Sequence, residues 1–502
     1  MRKGPVVNLH ELLGATEVIG PLDGADPEIR SVVSDSRRAT EGSLFVAIDG
    51  TKADGHDYIP RALENGAAAI VCERPPSPLP ARPVARVPDS RRALSALADA
   101  FYGSPSRHLR VTGITGTDGK TSTTEILRAI LSETGTPAGS IGTLGYWIDG
   151  HWLDSDLTTP DPVALHESFR RMVEVGIGDV CMEVSSHSLI QSRVADVAFE
   201  AAVLTNITRD HLNAHGTRQN YARAKRMLFE QLEPDAVAVL PAESEFLEPF
   251  REATRAEVLT YGMQTLADVR GRIMSLDLDG MELLVQTPFE LYSVRTTLIG
   301  SYNCLNILAA ATVAFAFGLG GEVVKEALRG FRGVPGRLEK VRVAGRHDLP
   351  TVAVDYAHTP DALRKVLTTL RPLVEGRLVC VVGCGGDRDR TKRPLMGGIA
   401  AECADAAVFT ADNSRSERTE DIIEQMLTGV STHRSRCRVE PDRRKAIELG
   451  VGLAASPDSM VVVCGKGCER HLDLGEEKMP FDDRVVAREI LHRVPLQRRK
   501  TA

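Results

Sequence analysis

The chain has 502 residues, enough for about three domains of 100 to 200 residues each, and 42% hydrophobic side chains, enough for ordinary cores. Its formal net charge is −7 with both signs dispersed, so neither nucleic acid nor an anionic membrane is a favoured partner, while a local basic site for a small anion stays compatible with it. Nine cysteines, an odd number set mostly in strand-like or helix-like runs, read as reduced thiols in a cytoplasm.

The start, Met1-Arg-Lys-Gly-Pro, is basic, but His10 and Glu11 interrupt the next stretch and no signal-peptide core forms. Short strands are predicted at Ser43 to Ile48 and Ala67 to Cys72, and a helix from Ser90 to Tyr102, before the breakers Gly103-Ser-Pro-Ser mark a linker. A second block opens with the strand Leu109 to Thr115. Its most apolar stretch, Ile307 to Leu319, is about 13 residues and too short to span a bilayer, so a soluble protein is expected. Gly333-Val-Pro-Gly336 then punctuates the chain. In the third block, strands near Thr351 to Asp355, Leu378 to Gly383, Ala406 to Thr410 and Met460 to Gly465 alternate with helices. The alternation argues for α/β units with parallel sheets, divided at 1–108, 109–337 and 338–502. The pairs Cys380/Cys384 and Cys464/Cys468 lack a matching second pair at zinc-site spacing, so no metal–thiolate site is expected.

Val111-Thr-Gly-Ile-Thr-Gly-Thr-Asp-Gly-Lys-Thr-Ser122 is a strand running into a glycine-rich loop and a helix from Thr121 to Ser132. Glycines let backbone N–H groups converge on phosphate oxygens at a helix N-terminus, Lys120 reaches terminal phosphates and Thr121 can ligate Mg²⁺. The pattern departs from the standard one at Ile114, the glycine being displaced to Gly113. This block is read as binding a nucleoside triphosphate. Glu183, in Cys181-Met-Glu-Val-Ser-Ser-His187, ends a strand-like run at the carboxyl edge where open α/β sheets bind ligands, and is a hard oxygen donor. Asn206-Ile-Thr-Arg-Asp-His211 follows the next strand, Ala201 to Thr205, so Glu183 and His211 could meet over the phosphates. On the helix Asn220 to Glu230, Lys225 shares the apolar stripe of Tyr221, Ala224 and Leu228; lysine there ordinarily snorkels to solvent, and helix geometry leaves both readings open.

Together Gly116-Thr-Asp-Gly-Lys-Thr, Glu183-Val-Ser-Ser-His, Thr205-Asn-Ile-Thr-Arg-Asp-His-Leu, the Ala-Lys of 224 and 225, Gly336-Arg337 and Asp355-Tyr-Ala-His358, in this order, resemble the Mur ligases over essentially the whole chain. The resemblance implies an N-terminal α/β domain for a UDP moiety, a central ATPase domain with a parallel or mixed sheet and a C-terminal dinucleotide-fold domain. It implies that Gly116, Thr117, Asp118, Gly119, Lys120, Thr121 and Ser122 bind ATP with Asn303 and Arg337. Thr121, Glu183, His211 and an N6-carboxylated Lys225 would surround Mg²⁺, with Lys120, Glu183, His211 and Lys225 as the catalytic set. Desolvation favours the neutral amine that CO₂ needs, which gives the apolar setting of Lys225 a reason. For a UDP-sugar dipeptide the resemblance points to Ser34, Ser36, Thr51, Lys52, Ala53, Thr158, Thr159, Ser185, Gln191 and Arg193. Ser34-Asp-Ser36 is also ordinary turn chemistry.

The activity implied is ATP-dependent addition of an amino acid to UDP-N-acetylmuramoyl-L-alanyl-D-glutamate through an acyl phosphate, in peptidoglycan synthesis, by a monomer. Diaminopimelate-adding members carry Asp-Asn-Pro-Arg in the third block, the arginine meeting the distal carboxylate. This chain has Asp412-Asn-Ser-Arg415, with Arg388, Gly465 and Glu469 completing the expected pocket and Cys468 where histidine is common. A guanidinium forks onto a carboxylate, which L-lysine's side chain lacks. The tetrad by itself would sooner be read as a solvated loop with a Ser or Asp capping a helix from Thr419. Serine in place of proline loosens the loop, so meso-diaminopimelate is expected first and L-lysine or another diamino acid next. A folylpolyglutamate synthase shares the ATPase core but not the N-terminal block, and a P-loop switch would hydrolyse nucleotide without an amino acid acceptor.

Overall fold

In the computed structural model, residues 5–21, 25–50, 53–155, 157–208, 212–264, 266–475 and 477–495 are described. Three main sheets succeed one another along the chain in a three-domain layout. The first has four parallel strands, Ser31–Val33, Ser43–Val46, Ala69–Cys72 and Val84–Arg86. The helix Ser90–Phe101 that follows begins at Asp89, whose carboxylate accepts from the N–H groups of Arg91 and Arg92 at 2.8 and 3.0 Å. That cap satisfies donors the helix leaves unpaired.

The second sheet has eleven strands and is mixed, in keeping with the parallel or mixed central sheet expected of an ATPase-type domain. Strands Ala138–Gly142, Asp179–Glu183, Arg110–Thr115, Phe199–Leu204, Val237–Pro241, Glu257–Gly262 and Val269–Leu276 lie parallel in that spatial order. Antiparallel pieces extend both ends: Gly145–Ile148 with His151–Leu153, and Met281–Gln286 with Leu291–Thr296. Leu291–Thr296 alternates exposed and buried side chains, as befits a strand with one wet face. The helices Lys120–Ser132 and Ser301–Ala316 pack on the parallel region and share its core. Ser301–Ala316 covers most of the apolar stretch noted above and is a buried core helix; no helix among the described residues is long and apolar enough to cross a membrane.

The third sheet runs, in space, Glu339–Val341, Thr351–Asp355, Met460–Cys464, Leu378–Val382, Ala406–Phe409 and Cys437–Val439, all parallel except the first. Helices Pro360–Leu370, Lys392–Cys403 and Thr419–Leu427 cover one face, Arg443–Ala454 and Asp483–Arg493 the other. The strand Met460–Cys464, late in sequence, inserts between the first two long strands. That order change opens a crevice at their carboxyl ends, the usual ligand position of doubly wound sheets.

Candidate active site

Arg110–Thr115 sits between Asp179–Glu183 and Phe199–Leu204, so three parallel strands deliver their following loops to one edge. Gly116 and Gly119 both have positive φ, +150° and +86°. A Cβ at Gly116 would stand 1.8 Å from Thr205 Oγ1, and one at Gly119 2.4 Å from Asn306 Oδ1, so only glycine fits either place. The loop is clamped from the neighbouring strand: Thr117 N donates to Asn206 O at 2.8 Å, Thr205 Oγ1 to Asp118 O at 2.6 Å, and Asn206 Nδ2 to Asp118 O at 3.0 Å. Lys120 Nζ donates to the carbonyls of Gly116 and Thr117 at 2.9 and 2.8 Å, and Arg337 Nη2 to Thr121 Oγ1 at 3.1 Å. Arg337 also stacks on Tyr356, 4.4 Å from the ring centre, and Lys365 pairs with Asp118 at 2.8 Å. Two groups from beyond the central sheet therefore close on the phosphate loop.

Glu183 ends its strand 1% exposed. Its carboxylate accepts from Thr143 N at 2.8 Å and Thr143 Oγ1 at 3.2 Å, and Thr143 Oγ1 lies 3.2 Å from Thr158 Oγ1. Thr159 Oγ1 donates to Glu183 O at 2.9 Å and accepts from Ser185 N at 3.0 Å. Arg193 Nη1 donates to Thr159 O at 2.8 Å and its other nitrogens grip Gln191 Oε1. Ser185 caps the helix Ser186–Ile190 through Ser188 N. Thr158, Thr159, Ser185, Gln191 and Arg193 thus form one polar network around Glu183, with burial pulling the Arg193 pKa below its ordinary value. Lys225 is 1% exposed, its Nζ donating to Gly116 O at 2.7 Å and lying 4.4 Å from the centre of the Tyr221 ring. It does not snorkel; the apolar stripe carries it under the phosphate loop.

In the third sheet, the loops after Val382, Phe409 and Cys464 converge. Asp412 and Asn413 are buried. Burial opposes ionisation of Asp412, but the cations of Arg443 and Lys466 outweigh it and hold its pKa below the ordinary carboxylate value. Asn413 Nδ2 donates to Glu469 Oε2 at 2.8 Å, while Lys466 Nζ donates to Asn413 Oδ1 and Glu469 Oε2, both at 3.0 Å. Gly465 has φ +113°, and a Cβ there would lie 2.6 Å from Asp412 Oδ2. Arg415 has φ +51°. Its Nη1 donates to Gly386 O at 2.7 Å and Asn413 O at 3.3 Å, and it pairs with no carboxylate among the described residues. Arg388 is exposed on the same rim, its Cγ 3.7 Å from a Cβ built at Gly385, where Arg415 Nη1 would be 3.2 Å away.

Family models for the Mur ligase family catalytic domain, the Mur ligase middle domain and the Mur ligase glutamate ligase domain match residues 28–102, 114–314 and 336–467. A UDP-N-acetylmuramoyl-L-alanyl-D-glutamate–2,6-diaminopimelate ligase of Geobacillus kaustophilus is 42% identical over 471 residues, covering 93% of this chain and 95% of the relative. The chain belongs to the Mur ligase family. A solved structure of a UDP-N-acetylmuramoyl-L-alanyl-D-glutamate–2,6-diaminopimelate ligase superposes with a TM-score of 0.69 at 29% identity, covering 97% of this chain and 99% of that one. A Mycobacterium tuberculosis folylpolyglutamate synthase shares the fold with a TM-score of 0.62 at 21% identity, covering 80% of this chain and 95% of its own.

In this Mur ligase the predicted tetrad is not a helix cap. The helix Thr419–Leu427 has Arg418 at its N-cap position with no side-chain cap bond. Ser414 is 2% exposed, and its Oγ lies 2.7 Å from Thr419 Oγ1 and 3.3 Å from Asp412 O, so hydroxyl contacts hold the loop where a proline ring would stiffen it. Asn303 faces inward, its Nδ2 donating to Ile299 O at 2.7 Å and its Oδ1 accepting from Asn306 Nδ2 at 2.9 Å, so Asn306 rather than Asn303 abuts Gly119. Ser122 is buried on the first turn after the loop. Ser34, Ser36 and Ala53 lie around the N-terminal sheet: Ser34 is exposed, Ser36 O accepts from Asn65 Nδ2 at 2.8 Å, and Ala53 O accepts from Gly50 N at 3.1 Å. Thr51, Lys52 and His211 fall outside the described residues. Thr143, Asn206, Asn306, Lys365 and Lys466 were not singled out from sequence. Only Lys466, between Gly465 and Glu469, and Asn206, after the strand, carried a local signal.

Proposed function

We propose that this Mur ligase couples ATP cleavage to joining meso-2,6-diaminopimelate to UDP-N-acetylmuramoyl-L-alanyl-D-glutamate. The observation that carries the choice of amino acid is Arg415: its neighbours Arg393, Arg443 and Lys466 are each paired with a carboxylate, whereas Arg415 ends on two neutral carbonyls. It keeps its charge for a carboxylate of the incoming amino acid. Asn413 and Glu469 form the opposite side, suited to an ammonium, with Arg388, Asp412, Ser414 and Gly465 shaping the loop. The relative's identity of 42% supports the same substrates. Residues 1–108 are assigned to the UDP moiety with Ser34, Ser36, Thr51, Lys52 and Ala53, 109–337 to ATP, and 338–502 to the amino acid.

In this reading a γ-carboxylate oxygen of the D-glutamate attacks the terminal phosphorus of ATP and ADP leaves. The amine then attacks the acyl carbon, loses a proton, and phosphate departs with its bridging oxygen as the amide forms. Lys120 draws charge from the transferring phosphoryl group, and Arg337 adds a second cation; removing such a contact typically costs about 10² to 10³ in rate. Thr158, Thr159, Ser185, Gln191 and Arg193 orient the dipeptide. Among the described residues no three His, Cys, Asp or Glu side chains cluster as a ready metal site. Thr121 and Glu183, with His211 and with Lys225 once carboxylated, would offer mostly hard oxygens that suit Mg²⁺, which would supply further charge neutralisation at the phosphates. Carboxylation joins the neutral Lys225 amine to CO₂ with loss of one proton.

Phosphate release measured with the UDP-dipeptide and each amino acid in turn tests the reading. Turnover with meso-diaminopimelate is expected, Arg415→Ala losing about 1.5 to 3 kcal/mol of transition-state stabilisation with it; preference for L-lysine would overturn the assignment. Lys225→Ala is expected to lose activity and recover part of it with short carboxylic acids. No response to any of them would argue against a carbamate.

A further inference from the structure

The third sheet carries a second polar feature at its other edge. A cavity of about 450 Å³ opens across the amino ends of three neighbouring parallel strands, where Arg377 precedes Leu378–Val382, Asp405 precedes Ala406–Phe409 and Arg436 precedes Cys437–Val439. Arg371 and Arg438 complete its charged lining, so four guanidiniums face one carboxylate in a protein whose net charge is −7. The single acid is already engaged: Asp405 pairs with Arg371 and accepts from Leu378 N at 2.8 Å. Arg371 is further fixed by the carbonyls of Val374 and Gly376. Arg438 Nη1 donates to Ser435 O and Cys437 O at 2.8 and 2.9 Å, and Arg377 Nη1 to Leu453 O at 3.5 Å, neutral oxygens in each case. The Arg436 side chain makes no hydrogen bond or ion pair among the described residues.

Like charges gathered without counter-charge repel, and a bound anion removes that cost. Guanidiniums fork onto phosphate oxygens, and the volume lies in the range of small-ligand sites rather than of a nucleic-acid groove. We propose that this cavity is a second anion site, which takes a di- or triphosphate group, free or on a nucleoside. It is separate from the catalytic crevice: the loops of Asn413, Arg415 and Glu469 leave the carboxyl ends of the same sheet, about 16 Å away along strands of five residues. An anion there would bridge Arg436 and Arg438, at the start of the edge strand, to Arg377, just before the inner strand Leu378–Val382, and to Arg371 in the turn after the helix Pro360–Leu370, and so brace the sheet that positions the tetrad.

The phosphate loop also takes polyphosphate, so the test begins from the full-length Lys120→Met variant, and calorimetry follows inorganic tripolyphosphate, ADP and UDP in separate titrations. One site for tripolyphosphate is expected in that background, weakened at least 10-fold by adding Arg436→Ser and Arg438→Ser, and weakening again as salt rises. The ATP and UDP sites assigned above also take these nucleotides, so only the binding lost with Arg436→Ser and Arg438→Ser is scored to the cavity: equal losses for tripolyphosphate and ADP assign it to the phosphates, and a larger loss for either nucleotide extends it to the nucleoside. Arg377→Gln is a second variant expected to weaken binding should the double substitution perturb folding. Binding unchanged by all three substitutions, or no binding at millimolar tripolyphosphate, would overturn the proposal.

Discussion

The phosphate loop and the tetrad pocket treat their cations in opposite ways. Around the loop, Lys120 donates to the carbonyls of Gly116 and Thr117 and Arg337 to a threonine hydroxyl, all neutral oxygens, although Lys365 reaches in from the third domain to pair with Asp118. Around the tetrad, Arg443 meets Asp483 at 2.7 Å, Arg393 meets Glu417 at 2.8 Å and Lys466 meets Glu469 at 3.0 Å. A carbonyl orients a cation without cancelling its charge, whereas a carboxylate cancels it and uses it to fix backbone. The first region presents charge to a ligand; the second uses charge to hold loops in place. Arg415 is the member of the second region built like the first, which is why it is the group proposed to read the substrate.

That contrast breaks most sharply at Lys120. Lys120→Ala removes a cation that holds no carboxylate, so it is expected to lower kcat by about 10² to 10³ while leaving the thermal midpoint close to that of the parent. Steady-state rates and melting curves measured side by side check it; a large fall in melting temperature would mean that the lysine supports the fold instead.

Much of the phosphate loop was legible because its needs are local. Gly116 and Gly119 require positive φ, the lysine and threonine follow at fixed offsets, and the strand before and helix after give the motif its setting. Lys225 was legible as a position on an apolar stripe, though helix periodicity could not say that its amine would meet the carbonyl of Gly116. What holds the loop was not legible, because Asn306 reaches Thr123 across 183 residues of sequence and Arg337 reaches Thr121 across 216. A mixed central sheet was expected, but not which strands make it mixed, since the meander from Val269 to Thr296 alternates its apolar side chains at short range and gives no sign of which sheet it extends. In the third block, Ser414 read as a loosened proline position; the bond to Thr419 that replaces the ring depends on where the next helix begins.

Lys466 sharpens the comparison, being a fully buried lysine whose partners are both proposed substrate contacts. It positions Asn413 and Glu469 rather than touching substrate. Lys466→Met leaves Glu469 unbalanced and removes one of the two donors to Asn413 Oδ1, the other being Asp473 N at 2.9 Å, and about 1.5 to 3 kcal/mol is expected to be lost, roughly 10- to 150-fold, chiefly as a higher KM for the amino acid. KM for ATP should not move. Lys466→Arg, which keeps the charge but not the length, should recover part of the loss; a purely structural role would instead lower kcat for all substrates together.

The smallest expected effect, and the one with a pH signature, lies at Glu417. Its carboxylate accepts from Arg393 Nη1 and Nη2 at 2.9 and 2.8 Å and from Asp387 N at 2.7 Å, tying the loop of Arg388 to the loop of Arg415. The hydrogen bonds from the Arg393 side chain, then that from Asp387 N, bring the Glu417 pKa down from 4.5 to about 2. A folded pKa below the unfolded one contributes stability that is complete above about pH 4.5 and is lost as the pH falls through about 2. Glu417→Gln keeps one acceptor and loses the charge, so a fall of roughly 2 to 4 °C in melting temperature is expected at pH 7. The gap between parent and variant should stay constant down to about pH 5 and narrow below it, because acid removes from the parent the charge that the variant already lacks. Melting curves at pH 7, 5 and 3.5 read this directly: a gap unchanged at pH 3.5 would leave hydrogen-bond geometry, and not charge, as what the pair supplies, and Arg393 would then belong with the cations that meet neutral partners.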